Sequence, residues 1–93
     1  MHVATLTLTI YLHEVRSLKE KRQIVQSLID TMRRKYNVSI AEVDGLDVWQ
    51  EAVLGVACVS NDNRHLQRVL DSLLNALEAN PNIDVGPIER EIW

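Results

Sequence analysis

The fold is decided within residues 2–20, HVATLTLTIYLHEVRSLKE, where a strand pattern gives way to a helix start. Up to residue 13, apolar and polar side chains alternate, with leucines and isoleucine on one face and mainly threonines on the other. Ser17 and Glu20 then have the spacing of a capping box, in which each side chain satisfies the other's free backbone amide. These residues predict a half-buried strand over residues 2–13 that leads directly into a helix.

The first helix is predicted to run from Ser17 to Asn37. Asn37 suits the left-handed conformation that ends many helices, and the basic residues just before it lie at the negative end of the helix dipole. The apolar positions that would face the core are Leu18, Val25, Leu28, Ile29, Met32 and Tyr36.

Two strands and a second helix follow. Residues 38–43 and 49–59 predict strands joined by a turn that starts at Asp44-Gly45. Residues 60–63, Ser-Asn-Asp-Asn, provide capping side chains for the second helix. Its apolar stripe consists of Leu66, Val69, Leu70, Leu73, Leu74 and Leu77.

The last predicted strand, from Ile83 to Ile92, is interrupted by Gly86-Pro87, which places it at a sheet edge or a bulge. The element order is therefore β-α-β-β-α-β. Right-handed crossovers then favour a ferredoxin-like α+β sandwich, a four-stranded antiparallel sheet with both helices on one face. With 93 residues, 46% hydrophobic and 25% charged, the chain is predicted to form one domain over residues 1–93.

The cysteine content and the N-terminal residues indicate a compartment. Cys58 is the only cysteine and lies in an apolar run, so it cannot form an internal disulfide and is expected to pack as a small hydrophobe. The first residues lack a basic segment followed by an apolar core, and no stretch approaches the ~20 apolar residues of a membrane span. We therefore expect a cytoplasmic protein without a membrane partner.

Catalytic and metal-binding patterns are absent from the sequence. The three histidines form no ligand pair, and neither a glycine-rich phosphate loop nor a serine-nucleophile signature occurs. An acidic cluster, Glu42, Asp44, Asp47 and Glu51, brackets the turn between the second and third strands; it could hold a divalent cation, but a solvated hairpin tip is the favoured interpretation. We expect no enzyme activity, no metal and no cofactor.

Charge is distributed unevenly along the chain. Residues 16–35 carry a net +5, whereas the remaining residues sum to −8. Positive charge at a helix N-terminus opposes the helix dipole, so an anionic partner such as RNA phosphate would explain it; a merely solvated helix face is the alternative. The candidate phosphate-binding residues are Arg16, Lys19, Lys21 and Arg22, with Arg33, Arg34 and Lys35 as a second basic patch.

The sheet face that the helices leave open predicts a second kind of contact. An exposed apolar set would favour a homodimer, and its candidate interface residues are Tyr11, Trp49, Val53, Ala57, Val59 and Trp93. The aromatic residues among them could equally cap the core at the sheet ends. Base stacking is not expected, because no aromatic residue lies at the centre of the third strand. A small-ligand regulatory domain is a third possibility, by analogy of fold alone.

Three stretches of the chain resemble the YlxP-like family of small bacterial proteins, a domain of unknown function. They are residues 16–22 (RSLKEKR), residues 37–44 (NVSIAEVD), and the pair Trp49-Gln50 together with residues 54–62 (LGVACVSND). The resemblance implies a ferredoxin-like fold in a cytoplasmic bacterial protein. Members are often encoded near translation-initiation and ribosome-maturation factors, which suggests a role around the ribosome, but the family provides no catalytic residues. The residues that the resemblance singles out as characteristic of the family are Ser17, Leu18, Lys19, Glu20, Lys21, Arg22, Glu42, Asp44 and Trp49.

Overall fold

A computed structural model describes residues 1–93 and contains four strands and two helices. The elements are β1 (His2–Leu12), α1 (Leu18–Tyr36), β2 (Ser39–Asp44), β3 (Glu51–Ser60), α2 (Asn63–Glu78) and β4 (Ile83–Ile92). The strands form one sheet in the order β2-β3-β1-β4, and every neighbouring pair is antiparallel. The predicted ferredoxin-like α+β fold is confirmed.

The core lies between one face of the sheet and the two helices. Leu6, Leu8 and Ile10 of β1 are at most 1% exposed, as the alternation of β1 predicts. The leucine stripe of α2 covers them, with Leu66, Leu70, Leu73 and Leu77 also at most 1% exposed. Because α2 contacts β1, β3 and β4 while α1 contacts β2, the two helices divide the sheet between them.

Local capping fixes where the helices begin and end. Ser17 Oγ accepts a hydrogen bond from the Glu20 backbone N–H at 3.1 Å, which is one half of the predicted capping box. Asn37 has φ of 50° and ends α1 in the left-handed conformation. Asp62 is the cap of α2, because its carboxylate accepts from the Arg64 N–H at 2.9 Å. These contacts confirm the predicted helix ends.

The Gly86-Pro87 interruption lies at an edge and at a bulge. β4 is an outer strand, and its register with β1 shifts between Leu8 and Ile10. The ring of Tyr11 covers Gly86 so closely that a Cβ added there would lie 2.6 Å from Cε2 of the ring and 3.2 Å from the Thr9 carbonyl oxygen. The irregular strand therefore admits the Tyr11 ring onto the sheet surface.

Candidate functional site

The exposed stripe of α1 carries four of the seven basic residues predicted to bind phosphate. Lys19 and Arg22 are about one turn apart, and the adjacent Arg33 and Arg34 follow three to four turns later, so all four lie within about a third of the helix circumference. We call these four residues the α1 basic face. Between its two ends lie the neutral side chains of Gln23 and Gln26, together with Asp30.

Lys21 does not belong to this face. Its side chain is completely buried; Nζ lies 2.8 Å from Glu42 Oε2 and donates a hydrogen bond to the Gly45 carbonyl oxygen. The residue lies one turn before Val25, on the stripe of α1 that faces the sheet. The prediction that Lys21 contacts phosphate is wrong, because its ammonium group already neutralises a buried carboxylate.

The acidic cluster is divided by the same contact. Glu42 alternates with the buried Ile40 along β2 and therefore points towards α1. Asp44 accepts a hydrogen bond from the Gly45 N–H at 2.8 Å, as expected of a turn residue, whereas Asp47 is exposed. No group of three or more His, Cys, Asp or Glu side chains converges as metal ligands would. Neither helix is long and apolar enough to cross a membrane.

The N-terminal end of the α1 basic face is the more open of its two ends. The Arg22 side chain is 65% exposed, and the nearest acid, Asp47, is 4.0 Å away. Lys19 and Arg16, which precedes the helix, are exposed and form no salt bridge. Lys19, Arg16 and Arg22 therefore add exposed positive charge around the first helical turn, which also contains Glu20 and in which the Glu20 N–H is already bonded to Ser17 Oγ.

The C-terminal end is partly occupied by internal contacts. Arg33 donates to the Ile40 carbonyl oxygen at 3.0 Å and lies 3.7 Å from Asp30, yet its side chain remains 52% exposed. Arg34 donates through Nε to the Asp30 carbonyl oxygen at 3.3 Å. Lys35 lies outside the stripe, with Nζ 5.4 Å from the centre of the Tyr36 ring. These contacts hold the arginines in place without removing them from solvent.

The residues predicted to form an interface converge on the side of the sheet opposite the helices, which we call the open sheet face. Val53, Ala57 and Val59 project from it at alternate positions of β3. Val3 pairs with Val59 and also exchanges two backbone hydrogen bonds with Trp93, so the three residues form an exposed apolar row across the sheet.

Tyr11 shares the open sheet face and is 41% exposed, whereas Trp49 lies before β3 begins, in the β2–β3 hairpin loop, and is 49% exposed. The sequence predicts that the strand starts at residue 49 and includes Trp49. In the structure the loop continues to residue 50, and within it the Val48 N–H donates to the Gly45 carbonyl oxygen at 3.0 Å. Five of the six predicted interface residues thus share one surface, and whether that surface forms an interface stays a prediction.

Two titratable groups are shifted by their surroundings. The hydrogen bond that His13 Nε2 donates to the Asp84 carboxylate, at 2.9 Å, raises the pKa of His13 above its ordinary value, and the pair links the end of β1 to the start of β4. Burial raises the pKa of the Cys58 thiol, against a smaller opposing effect of Arg90. Cys58 packs against the core as a small hydrophobe, as predicted, and is poorly suited to act as a nucleophile.

An apolar groove of about 480 Å³ separates α1 from α2. Ile24, Leu28 and Met32 of α1 line it together with polar side chains of α1 and with Asn80 and Asn82 from the connection between α2 and β4. None of its lining side chains is charged, so the groove suits an uncharged ligand and has no group that would hold a phosphate.

Comparisons with known proteins identify a family and a fold. The chain is 32% identical over 82 residues to a protein of Bacillus subtilis (strain 168) named "Uncharacterized protein YlxP", covering 88% of each chain. The de novo designed protein Foldit4 superposes with a TM-score of 0.56 at 12% identity, covering 98% of this chain and 97% of that one.

A mutant of SnoaB, a cofactor-independent oxygenase from Streptomyces nogalater, superposes with a TM-score of 0.50 at 13% identity, covering 98% of this chain and 90% of that one. At such identities these structures show only a shared fold. Residues 3–90 match the family described as "Protein of unknown function (DUF503)", and the chain belongs to this family.

Proposed function

We propose that this DUF503 protein is a non-enzymatic accessory factor that binds RNA, including ribosomal RNA, through the phosphates that contact the α1 basic face. The observation that carries the proposal is the exposure of Lys19 and Arg22 at the helix N-terminus. There the free amides and the helix dipole already favour an anion, and these side chains add positive charge that does not stabilise the helix itself.

The length of α1 supports contact with more than one phosphate. Lys19 and Arg34 are fifteen residues apart, which corresponds to about 20 Å along a helix. Gln23 lies between them and can donate a hydrogen bond to a phosphate or ribose oxygen, whereas the Gln26 amide already donates to the Asp30 carboxylate at 2.9 Å. Two basic ends separated by a centre that carries the Asp30 carboxylate suit separate stretches of an RNA backbone better than one small anion.

The aromatic residues support recognition by shape and charge. Tyr36 is the only aromatic residue in α1; it is half-buried and donates to the Ser72 carbonyl oxygen at 3.3 Å. Tyr11, Trp49 and Trp93 lie outside the helix layer. Since single-stranded RNA is usually held by stacked aromatic side chains, we expect folded or duplex RNA to be preferred.

Fluorescence anisotropy with a labelled RNA hairpin tests the proposal. The Lys19→Ala/Arg22→Ala variant should bind about tenfold more weakly than the unmodified protein, because two charge-assisted contacts are lost. The Arg64→Ala/Arg68→Ala variant is the matched control, since it removes two exposed cations from α2 and should change the Kd less than threefold. Equal losses in both variants, or no binding of the hairpin by the unmodified protein, would contradict the proposal.

A further inference from the structure

The open sheet face carries charge of one sign only. Glu89 and Glu91 of β4 project from it, opposite Thr7 and Thr5 of β1. None of the ten Lys and Arg residues lies on this face. Nine of them lie in α1, in α2 or in the turn before α1, and the tenth, Arg90, lies on the side of β4 that faces the helices. The protein therefore has a basic helix layer and an acidic sheet face.

The contacts of Arg90 show how positive and negative side chains of β4 are kept on opposite sides of the sheet. Arg90 alternates with Glu89 and Glu91, so it projects to the opposite side of the sheet. There it donates to Asp71 at 2.8 Å and to the Gln67 carbonyl oxygen at 3.0 Å, both in α2. It is therefore directed away from the two glutamates, which have no cation on their own surface.

The same face is also apolar at one end and along β3. Val59 is 59% exposed and Trp93 is 69% exposed, and both flank Val3 in the apolar row. At the centre, the Val43 side chain covers Gly55, where an added Cβ would lie 2.9 Å from Val43 Cγ1, and Ala41 and Ala57 line a shallow depression beside it. Apolar area beside unpaired carboxylates is suited to a partner that offers both apolar and positively charged side chains.

A second copy of this chain does not provide those charges. Two open sheet faces can stack about a two-fold axis that is perpendicular to the strands. In that case β4 of one copy lies over β4 of the other, and the glutamates of the two copies face each other. If the axis runs along the strands, β4 lies over β2, where Ser39, Ala41 and Val43 offer no cation. Either arrangement would bury carboxylates without partners, which is costly.

We propose that the open sheet face binds a protein segment rich in Lys and Arg, with apolar side chains between the basic ones. The basic side chains would contact Glu89 and Glu91, and the apolar ones would cover Val59 and Ala57. Trp93 can contact either kind of side chain, because its ring accepts a cation as well as apolar groups. RNA is repelled from this face by the carboxylates, so the two surfaces have different partners.

The probe is a labelled ten-residue peptide of alternating arginine and valine, with a glutamate–valine peptide of equal length as the charge-reversed comparison. The Glu89→Gln/Glu91→Gln variant should bind the basic peptide about tenfold more weakly, because two charge contacts are lost. The Glu14→Gln/Glu78→Gln variant removes the same charge from exposed positions outside the sheet and should change the Kd less than twofold. The glutamate–valine peptide should not bind.

A third variant separates this inference from the proposed RNA binding. Lys19→Ala/Arg22→Ala should bind the basic peptide as the unmodified protein does, since its changes lie in the helix layer. The inference is overturned if both glutamine variants weaken binding equally, or if neither does. It is also overturned if the protein sediments as a dimer that Val59→Lys converts to a monomer, because a second copy would then occupy the face.

Discussion

Lys21 and Glu42 form an ion pair inside the protein, with Nζ 2.8 Å from Oε2 and the side chains 0% and 14% exposed, respectively. The pair joins the first turns of α1 to β2, and the bond from Lys21 to the Gly45 carbonyl oxygen extends the connection to the hairpin loop. Glu42 Oε2 is fully buried and is reached by no donor other than Lys21, so its charge is balanced by the Lys21 ammonium alone. Two charged residues from different elements are thus paired inside the protein.

Removing Lys21 should therefore destabilise the fold strongly. Lys21→Met leaves a buried carboxylate without its partner and is expected to lower the free energy of unfolding by about 3–5 kcal/mol. The double variant Lys21→Met/Glu42→Leu removes both charges and should recover most of that loss. Urea unfolding of the three proteins measures the effect, and a single variant within about 1 kcal/mol of the unmodified protein would contradict a structural role for the pair.

Gly86 should tolerate no larger side chain while the Tyr11 ring lies over it. Gly86→Ala places a methyl group against the ring and is expected to cost about 1–3 kcal/mol. In the Tyr11→Ala background the same change should cost less, because only the Thr9 carbonyl oxygen then restricts the methyl group. A double-mutant cycle measured by thermal unfolding gives the coupling, and purely additive effects would show that the two residues do not interact.

The His13–Asp84 contact should make stability depend on pH. Because the hydrogen bond to Asp84 raises the pKa of His13 in the folded state, protonation of the ring favours folding. This contribution to the stability of the folded state is complete below the ordinary histidine pKa of 6.5, and it is lost as the pH rises through the raised pKa of His13 in the folded state. The unfolding midpoint of the unmodified protein should exceed that of Asp84→Asn at about pH 5.5 and approach it at about pH 8.5. A difference that stays constant or grows over this range would show that protonation of His13 does not stabilise the fold.

RNA binding through the α1 basic face should weaken steeply with salt. Each phosphate contact contributes about −0.7 to −0.9 to the slope of log K against log salt concentration. Removing Lys19 and Arg22 should therefore make the slope less steep by about 1.5. Anisotropy titrations of both proteins over a range of KCl concentrations measure this change in slope. An unchanged slope would show that residues other than Lys19 and Arg22 contact the phosphates.

The architecture could be predicted because each element carries a local signal. The leucines of α2 recur every three or four residues, the threonines of β1 alternate with aliphatic residues, and Ser17 and Asp62 cap the helices through contacts within three residues of themselves. Gly86-Pro87 likewise predicted that β4 is not a central strand, because proline has no N–H to donate to a neighbouring strand. Periodicity and capping depend on neighbours in sequence, so one chain is enough to reveal them.

Lys21 was placed wrongly because its environment depends on a distant residue. Its position in the α1 stripe was visible, one turn before Val25, but a lysine is buried only when an acid meets it, and Glu42 lies on another element. The contact from Arg33 to the Ile40 carbonyl oxygen was missed for the same reason. Charge counts along a sequence show how many cations a segment has and leave open which of them reach solvent.

The contact between Arg33 and Ile40 also bears on aggregation. β2 is an outer strand, and the free carbonyls of such a strand can recruit a strand from another molecule. The Arg33 guanidinium occupies the Ile40 carbonyl oxygen at 3.0 Å and places a charge beside that edge. At the opposite edge, Pro87 has no N–H to offer an incoming strand. Both edges of the sheet are thus poor templates for the addition of a strand from another molecule.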